Sequence, residues 1–437
     1  MAEIRPFRGV HYSSSLIKDW SAVICPPHDI ISPYDQQELY HSSEYNFVRL
    51  EYGLQMPQDT ATDNRYTRSA ATLEQWLKQG VLETDPAPAI YLHSHQFTLE
   101  GRQYKRRNII ARVRVEEWDK MIVRPHERTF TVTRSDRLSL LQALQANTSP
   151  ILAMFEDRQR RISPLLADQE RNKPMISSRR VGGESHDVWA ITDIEVIKEI
   201  SSNLAEQPLY IADGHHRYES ALAYGRDRKK AAASPSPDAG YNFVMMELVD
   251  FADPGLVILA PHRLVKGISK LTLDKFTDRL AEFFEMERIP LITTDFRKQV
   301  GDFFTGADGI RVVIFGPATD FLLKLKLRDQ AAASRMMPQF HSELYKKLDV
   351  SIVDHVILEQ LLGMTGDAGK TGLAYNHDLL DTVNRVKNGE YQLAILLSPV
   401  KPETIKEIAD AGDRMPPKST YFYPKAPSGL VFNRLVD

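Results

Sequence analysis

A mixed α/β (α+β) fold is what this 437-residue chain predicts, and three observations carry the expectation. Short apolar, β-branched runs are interleaved with segments of helical spacing along the whole length. No repeat at a fixed period marks a solenoid or propeller. The proportions, 42% hydrophobic and 26% charged, are those of an ordinary globular chain long enough for two or three domains.

Four segments are expected. Residues 1–85 form an N-terminal α/β segment. In it "SAVICPPHDIISPYD" reads as a short strand broken by Pro26-Pro27, then a turn and a helix from about Tyr34. "YNFVRLEYG" reads as a further strand. Tyr66, Ala70, Leu73, Trp76 and Leu77 have helical spacing. Residues 86–185 are β-rich with one helix: "AIYLHSHQFTLEGRQYKRRNIIARVRVEEW" predicts a hairpin turning at Glu100-Gly101 and then another strand. "TRSDRLSLLQALQANTSPILAMFED" predicts a helix followed by a strand. Residues 186–330 form the central core, assembled from non-adjacent segments. It comprises the strand "HDVWAITD", the helix "DIEVIKEISSNLAEQ", a flexible loop over 227–242, the strands "YNFVMMELVDF" and "GLVILAPHRLV", and alternating helix and strand beyond 270. Residues 331–437 hold the helix "DVSIVDHVILEQLLG", the buried strand "YQLAILLSPV" and the loop "MPPKSTYFYPK".

Composition excludes several functions. A net charge of −3 offers no global basic field, which disfavours nucleic acid as a partner. One cysteine, Cys25, leaves no disulfide framework and no thiolate metal cluster. The absence of a long apolar run or an N-terminal apolar core predicts a cytoplasmic protein with no membrane partner. Oligomeric state is not set by these properties.

The most concentrated chemistry is "LYIADGHHRYESALAYG" (209–225). An apolar strand, a glycine turn and a helix start place Asp213, Gly214, His215, His216 and Arg217 at one junction. A helix N-terminus points N–H groups outward at the positive end of its dipole. Gly214 permits close backbone approach, and Arg217 supplies a planar, permanently charged fork suited to phosphate oxygens. An anion site for a nucleotide or sugar phosphate is the expectation; the plainer alternative is a helix capped by Asp213. "GMTGDAGKTG" resembles a P-loop, but Gly363 to Gly369 encloses five residues instead of four and follows a helix rather than a strand.

Three further motifs carry candidate groups. "VRPHERTF" offers His126 and Glu127, the latter as acceptor of a hydroxyl proton. "LAPHRLV" offers His262 and Arg263. "RMPPKSTYFYPKAPSG" gathers Lys418, Ser419 and Thr420, with Tyr421 to Tyr423 able to stack on a base, and Lys425 following. Asp29 of "CPPHDII" is a turn residue or a metal ligand.

"GHHRYESALAYG" resembles the nucleotide-binding signature of the sulfiredoxin/ParB-like superfamily, which implies a ParB/sulfiredoxin-like core with additional N- and C-terminal α/β segments. By that resemblance His216 and Arg217 fall where nucleotide phosphates bind, and His215 falls where sulfiredoxin has its catalytic cysteine. With no thiol there, sulfinic acid reduction is not implied. Free serine kinases of the same superfamily are one known change of chemistry. Through "PPHDIIS", "RPHERT", "IADGHHRYESAL", "DPGLVILAPHR" and "MPPKSTYFYPK", nearly the whole chain resembles the family called domain of unknown function 1015. His28 departs from it, standing where tyrosine is expected.

The function these features imply is a nucleotide-dependent phosphotransferase on a small hydroxyl metabolite, a serine kinase or a phosphoserine phosphatase. Phosphoryl transfer needs positioning and positive charge more than covalent chemistry. In this scheme Gly214, His216, Arg217, Arg263, Ser419 and Thr420 bind ATP or ADP. Glu127, Asp213, His215 and Lys418 are the catalytic candidates, and His126, His262 and Tyr421 contact substrate. Mg2+ sits on phosphates and Asp29. The alternative is a ParB-like nucleotide-binding regulatory or DNA-associated protein without catalysis. A metal-dependent hydrolase built on the motif histidines is disfavoured, because Arg217 and Arg263 repel a cation.

Overall fold

The computed structural model describes residues 1–129, 131–179, 183–292, 295–305, 309–316, 320–365 and 371–435. The chain divides into two compact units. The first comprises Met1–Pro125, Thr129–Val257 and Pro424–Asp437; the second comprises His126–Arg128 and Ile258–Tyr423.

The first unit is built on a nine-stranded sheet. Its path runs Val123–Arg124, Leu209–Asp213, Ile151–Phe155, Phe243–Asp250, Arg102–Arg114, Ile90–Leu99, Ser185–Ile191 and Ile176–Arg179, with Ile4–Arg5 added to Arg102–Arg114. The pairings Leu209–Asp213 with Val123–Arg124 and Phe243–Asp250 with Ile151–Phe155 are parallel, and the others antiparallel. Both faces are buried, and successive residues serve different cores. Ile90 and Leu92 face one core with Ile109, Ala111, Val244 and Met246, against helices carrying Leu166, Ile200, Leu204 and Tyr218. Tyr91, Ile110 and Met245 face the other, against Leu73, Trp76, Leu140 and Leu144. The hairpin turns at Glu100 (φ 51°) and Gly101 (φ 78°) as expected, a pair of left-handed residues that matches strand twist.

Four local expectations change. "YNFVRLEYG" is a helical turn, Val48–Glu51: Asn46 accepts the Val48 N–H, and Phe47, Val48 and Leu50 are all buried, so the run lacks the alternation of a half-exposed strand. Arg102–Arg114 is one continuous strand where a hairpin strand plus another was expected, because it pairs with Ile90–Leu99 and Phe243–Asp250 on either side. The helix His215–Ala231 consumes the start of the expected 227–242 loop, its basic last turn suiting the negative end of the dipole. "GLVILAPHRLV" is broken at Pro261, so His262 opens a new strand instead of ending one.

In the second unit a six-stranded sheet runs Phe284–Pro290, Phe321–Leu327, Arg311–Phe315, Leu393–Leu396, His262–Val265 and Leu373–Asn376, antiparallel at every pairing. Phe296, Val300, Val383 and Val386 of two helices pack on its Val313, Phe315, Leu322, Ala394 and Leu396. Residues 366–370 of the P-loop-like stretch lie outside the described residues. No described helix is long and apolar enough to cross a membrane.

Candidate functional site

The strand Leu209–Asp213 is buried through Ala212 and slips register between Ile211 and Asp213, which pairs with Leu152. Gly214 then turns the chain at φ 93°, ψ 26°, occupying the position before the helix His215–Ala231. A Cβ at Gly214 would lie 2.9 Å from Arg217 Nε and 3.0 Å from its Cζ, so glycine serves both the left-handed backbone and the guanidinium seat. Tyr218 anchors the first helical turn: its ring packs tilted against Trp118, and its hydroxyl accepts from Glu116 N–H at 2.9 Å and donates to Glu116 O at 2.8 Å.

Asp213 does not cap the helix. Its carboxylate accepts from Arg217 Nη2 at 2.9 Å and from the buried Lys425 ammonium. Burial by itself would raise its pKa, but Lys425, Arg217 and His215 outweigh that and hold it well below the usual carboxylate range. Arg217 also donates to Pro150 O. His215 is buried and His216 half-buried.

Arg217 lines a hollow of about 40 Å³ together with Arg137, Asn147, Thr148 and Ser149. Behind Thr148 and Ser149 lies Glu51, fully buried, accepting from the Thr148 hydroxyl at 2.5 Å, the Ser149 hydroxyl at 3.2 Å and Arg137 Nη1 at 3.4 Å. His28 Nδ1 stands 3.7 Å from the same carboxylate. Burial raises the Glu51 pKa, and His28 and Arg137 more than reverse this, bringing it to about 2. Asp29 is exposed on the single turn His28–Ile30, while His28 is the residue turned inward. Glu51, Arg137, Thr148 and Ser149 escaped sequence reasoning. One acid in an apolar run and an arginine in a polar helix carry no local signature, and only their burial singles them out.

The second unit holds the other candidates. "RPHERT" and "RMPPKST" form one structure: Met415 N–H donates to His126 O at 2.7 Å, and Glu127 accepts from the backbone N–H of Lys418 at 3.0 Å and Ser419 at 3.4 Å. His126 Nε2 lies 3.0 Å from Thr420 Oγ1, and Ser419 Oγ donates to Pro416 O at 2.6 Å. Lys418 is exposed, in the left-handed region at φ 60°. Tyr421 stacks on His377 at 4.2 Å. Arg263 is fully buried, donating to Asp354 at 3.2 and 3.3 Å and to Pro261 O at 2.6 Å. His262 Nδ1 accepts the Leu397 N–H at 3.2 Å; burial and Arg263 push its pKa down to about 3. Asp213, Gly214, His215, His216, Arg217 and Asp29 thus belong to the first unit. Glu127, Lys418, Arg263, Ser419, Thr420, His126, His262 and Tyr421 belong to the second.

Fold and turn define a class: a mixed α/β chain of two units whose first carries an Asp-Gly-His-His-Arg junction between a buried strand and a helix. The chain belongs to DUF1015, a family of proteins of unknown function, whose model matches residues 4–351. Among curated proteins none matches it. Similar solved structures include a conserved hypothetical protein from Pyrococcus furiosus (13% identity, TM-score 0.35, covering 74% of this chain and 95% of that one). A free serine kinase in complex with AMP is another (13%, 0.36, 74% and 92%). A third is SbnI with a C-terminal truncation from Staphylococcus aureus (12%, 0.35, 73% and 85%).

Proposed function

We propose that the chain is a nucleotide-dependent phosphotransferase acting on a small hydroxyl metabolite, with the Asp213–Arg217 turn as its phosphate grip. The observation that carries this is the turn itself, where Gly214 (φ 93°) precedes the helix His215–Ala231 with His216 and Arg217 in its first turn, beside a hollow lined by Arg217, Arg137, Asn147, Thr148, Ser149 and Ser220 and by four apolar side chains. Backbone N–H groups at a helix N-terminus with an arginine beside them suit phosphate oxygens. The similarity of "GHHRYESALAYG" to the sulfiredoxin/ParB-like nucleotide signature supports ATP or ADP as the phosphate carrier.

In this scheme Arg217 and His216 hold nucleotide phosphates, and Gly214 lets them approach the backbone. Asp213, held ionised between Arg217 and Lys425, is a weak base and serves to orient both cations. Glu51 fixes the Thr148 and Ser149 hydroxyls. Mg2+ would ride chiefly on phosphate oxygens, since Glu51 is engaged and Asp29 is the exposed carboxylate beside His28.

The test is phosphorus NMR of the purified chain with Mg2+, ATP or ADP and L-serine, repeated with phosphoserine. Wild type is expected to interconvert serine and phosphoserine, and Arg217→Ala to lose this, with Arg217→Lys retaining part. Circular dichroism checks that the variants fold. The absence of both turnover and nucleotide line broadening in wild type would sink the proposal.

A further inference from the structure

At the polar end of the sheet face that carries Tyr91, Ile110 and Met245, two neighbouring strands of the first unit bring together a second set of histidines. The H-S-H of Ile90–Leu99 turns His93 and His95 to the same face, because side chains alternate. His95 pairs directly across to His186 on the neighbouring strand, ring centroids 4.2 Å apart. Both rings are fully buried, and Glu184 stands at the rim.

We propose that His95, Glu184 and His186 bind a first-row divalent cation of the Zn2+ class, with His93 and Glu247 as its supporting shell. One ligand atom from each of the three lies within 4.8 Å of the others. His95 Nε2 is 2.8 Å and His186 Nε2 3.7 Å from Glu184 Oε1. Ligands at about 2.1 Å from a tetrahedral centre stand roughly 3.4 Å apart, so small side-chain shifts complete the shell.

The hydrogen-bond chain behind the site prepares His186 for this role. Glu247 is fully buried and accepts from His93 Nδ1 at 2.5 Å. His93 Nε2 then carries the lone pair and accepts from His186 Nδ1 at 3.1 Å. That bond puts the His186 ring proton on Nδ1 and turns the Nε2 lone pair toward Glu184. A carboxylate–histidine chain on the far nitrogen is the arrangement that orients metal-bound imidazoles. His95 requires one adjustment. Arg106 Nη2 lies 3.3 Å from its Nδ1, so coordination through Nε2 moves the His95 proton to Nδ1 and breaks that bond; Arg106 keeps its bond to Pro424 O at 3.1 Å, and Glu247 and Glu184 offset its charge beside the cation. Three protein ligands leave one position open, the count of a reactive rather than a closed structural site.

The test uses the full chain without a histidine tag, stripped by chelator and titrated with Zn2+ by calorimetry and with Co2+ by visible absorption. One cation per chain is expected. Glu184→Gln and His186→Ala should each weaken binding at least tenfold, and His93→Ala about 10–100-fold. His341→Ala, in the second unit, should leave it unchanged. Glu184→Gln, at the rim, keeps the test decisive should a buried histidine variant fail to fold. No stoichiometric binding, binding unmoved by Glu184→Gln, or equal loss in His341→Ala would overturn the proposal.

Discussion

Glu51 offers a direct test of the electrostatics beneath the hollow. Its carboxylate is fully buried, yet His28, Arg137 and the Thr148 hydroxyl bring its pKa from 4.5 to about 2. At about 1.4 kcal/mol per tenfold change in proton affinity, that difference is worth about 3 kcal/mol. Between pH 2 and 4.5 the unfolded chain binds the proton that the folded chain refuses. The contribution is therefore complete above about pH 5 and is lost as pH falls toward 2. Glu51→Gln removes it while keeping an acceptor for Thr148. Urea unfolding of wild type and variant should show a wild-type advantage near neutrality that shrinks by about 3 kcal/mol on acidification to pH 2. An advantage independent of pH would refute the reasoning, since it would mean that the carboxylate charge is not what its neighbours stabilise.

Other substitutions probe the remaining pieces. Gly214→Ala puts an alanine at φ 93° against the Arg217 guanidinium; a loss of about 1–2 kcal/mol is expected, with weaker nucleotide affinity, and unchanged thermal unfolding would count against it. Glu127→Gln keeps one carbonyl acceptor where the carboxylate takes two backbone N–H groups, so amide exchange at Lys418 and Ser419 should rise about tenfold; unaltered exchange would show the loop is held otherwise. His262, kept neutral when folded with a pKa of about 3, takes up a proton on unfolding below about pH 6.5. Stability therefore falls as pH drops through that window, by about 2 kcal/mol at pH 5, and His262→Asn should flatten the fall. Identical pH dependence in both chains would argue against it.

Features that depend on neighbours along the chain could be read directly from the residues. The hairpin at Glu100-Gly101 was legible because two adjacent residues had to adopt positive φ. The junction at Asp213 was legible because a buried strand, a glycine and a helix start follow one another within a few residues. The turn at Val48–Glu51 was not, since a short apolar run has the same composition whether it is a strand or a fully buried helical turn.

Tertiary structure alone decided which distant groups meet. Asp213 reads locally as a helix cap, but Lys425, 212 residues on, makes it the acceptor of two cations. Glu127 reads as a base, but 291 residues separate it from the Lys418 N–H it accepts. Burial decided the rest. It singled out Glu51 beneath the hollow, and it brought the histidines of two strands onto one face of a sheet. Those pairings follow from register and from excluding water, which no window of sequence contains.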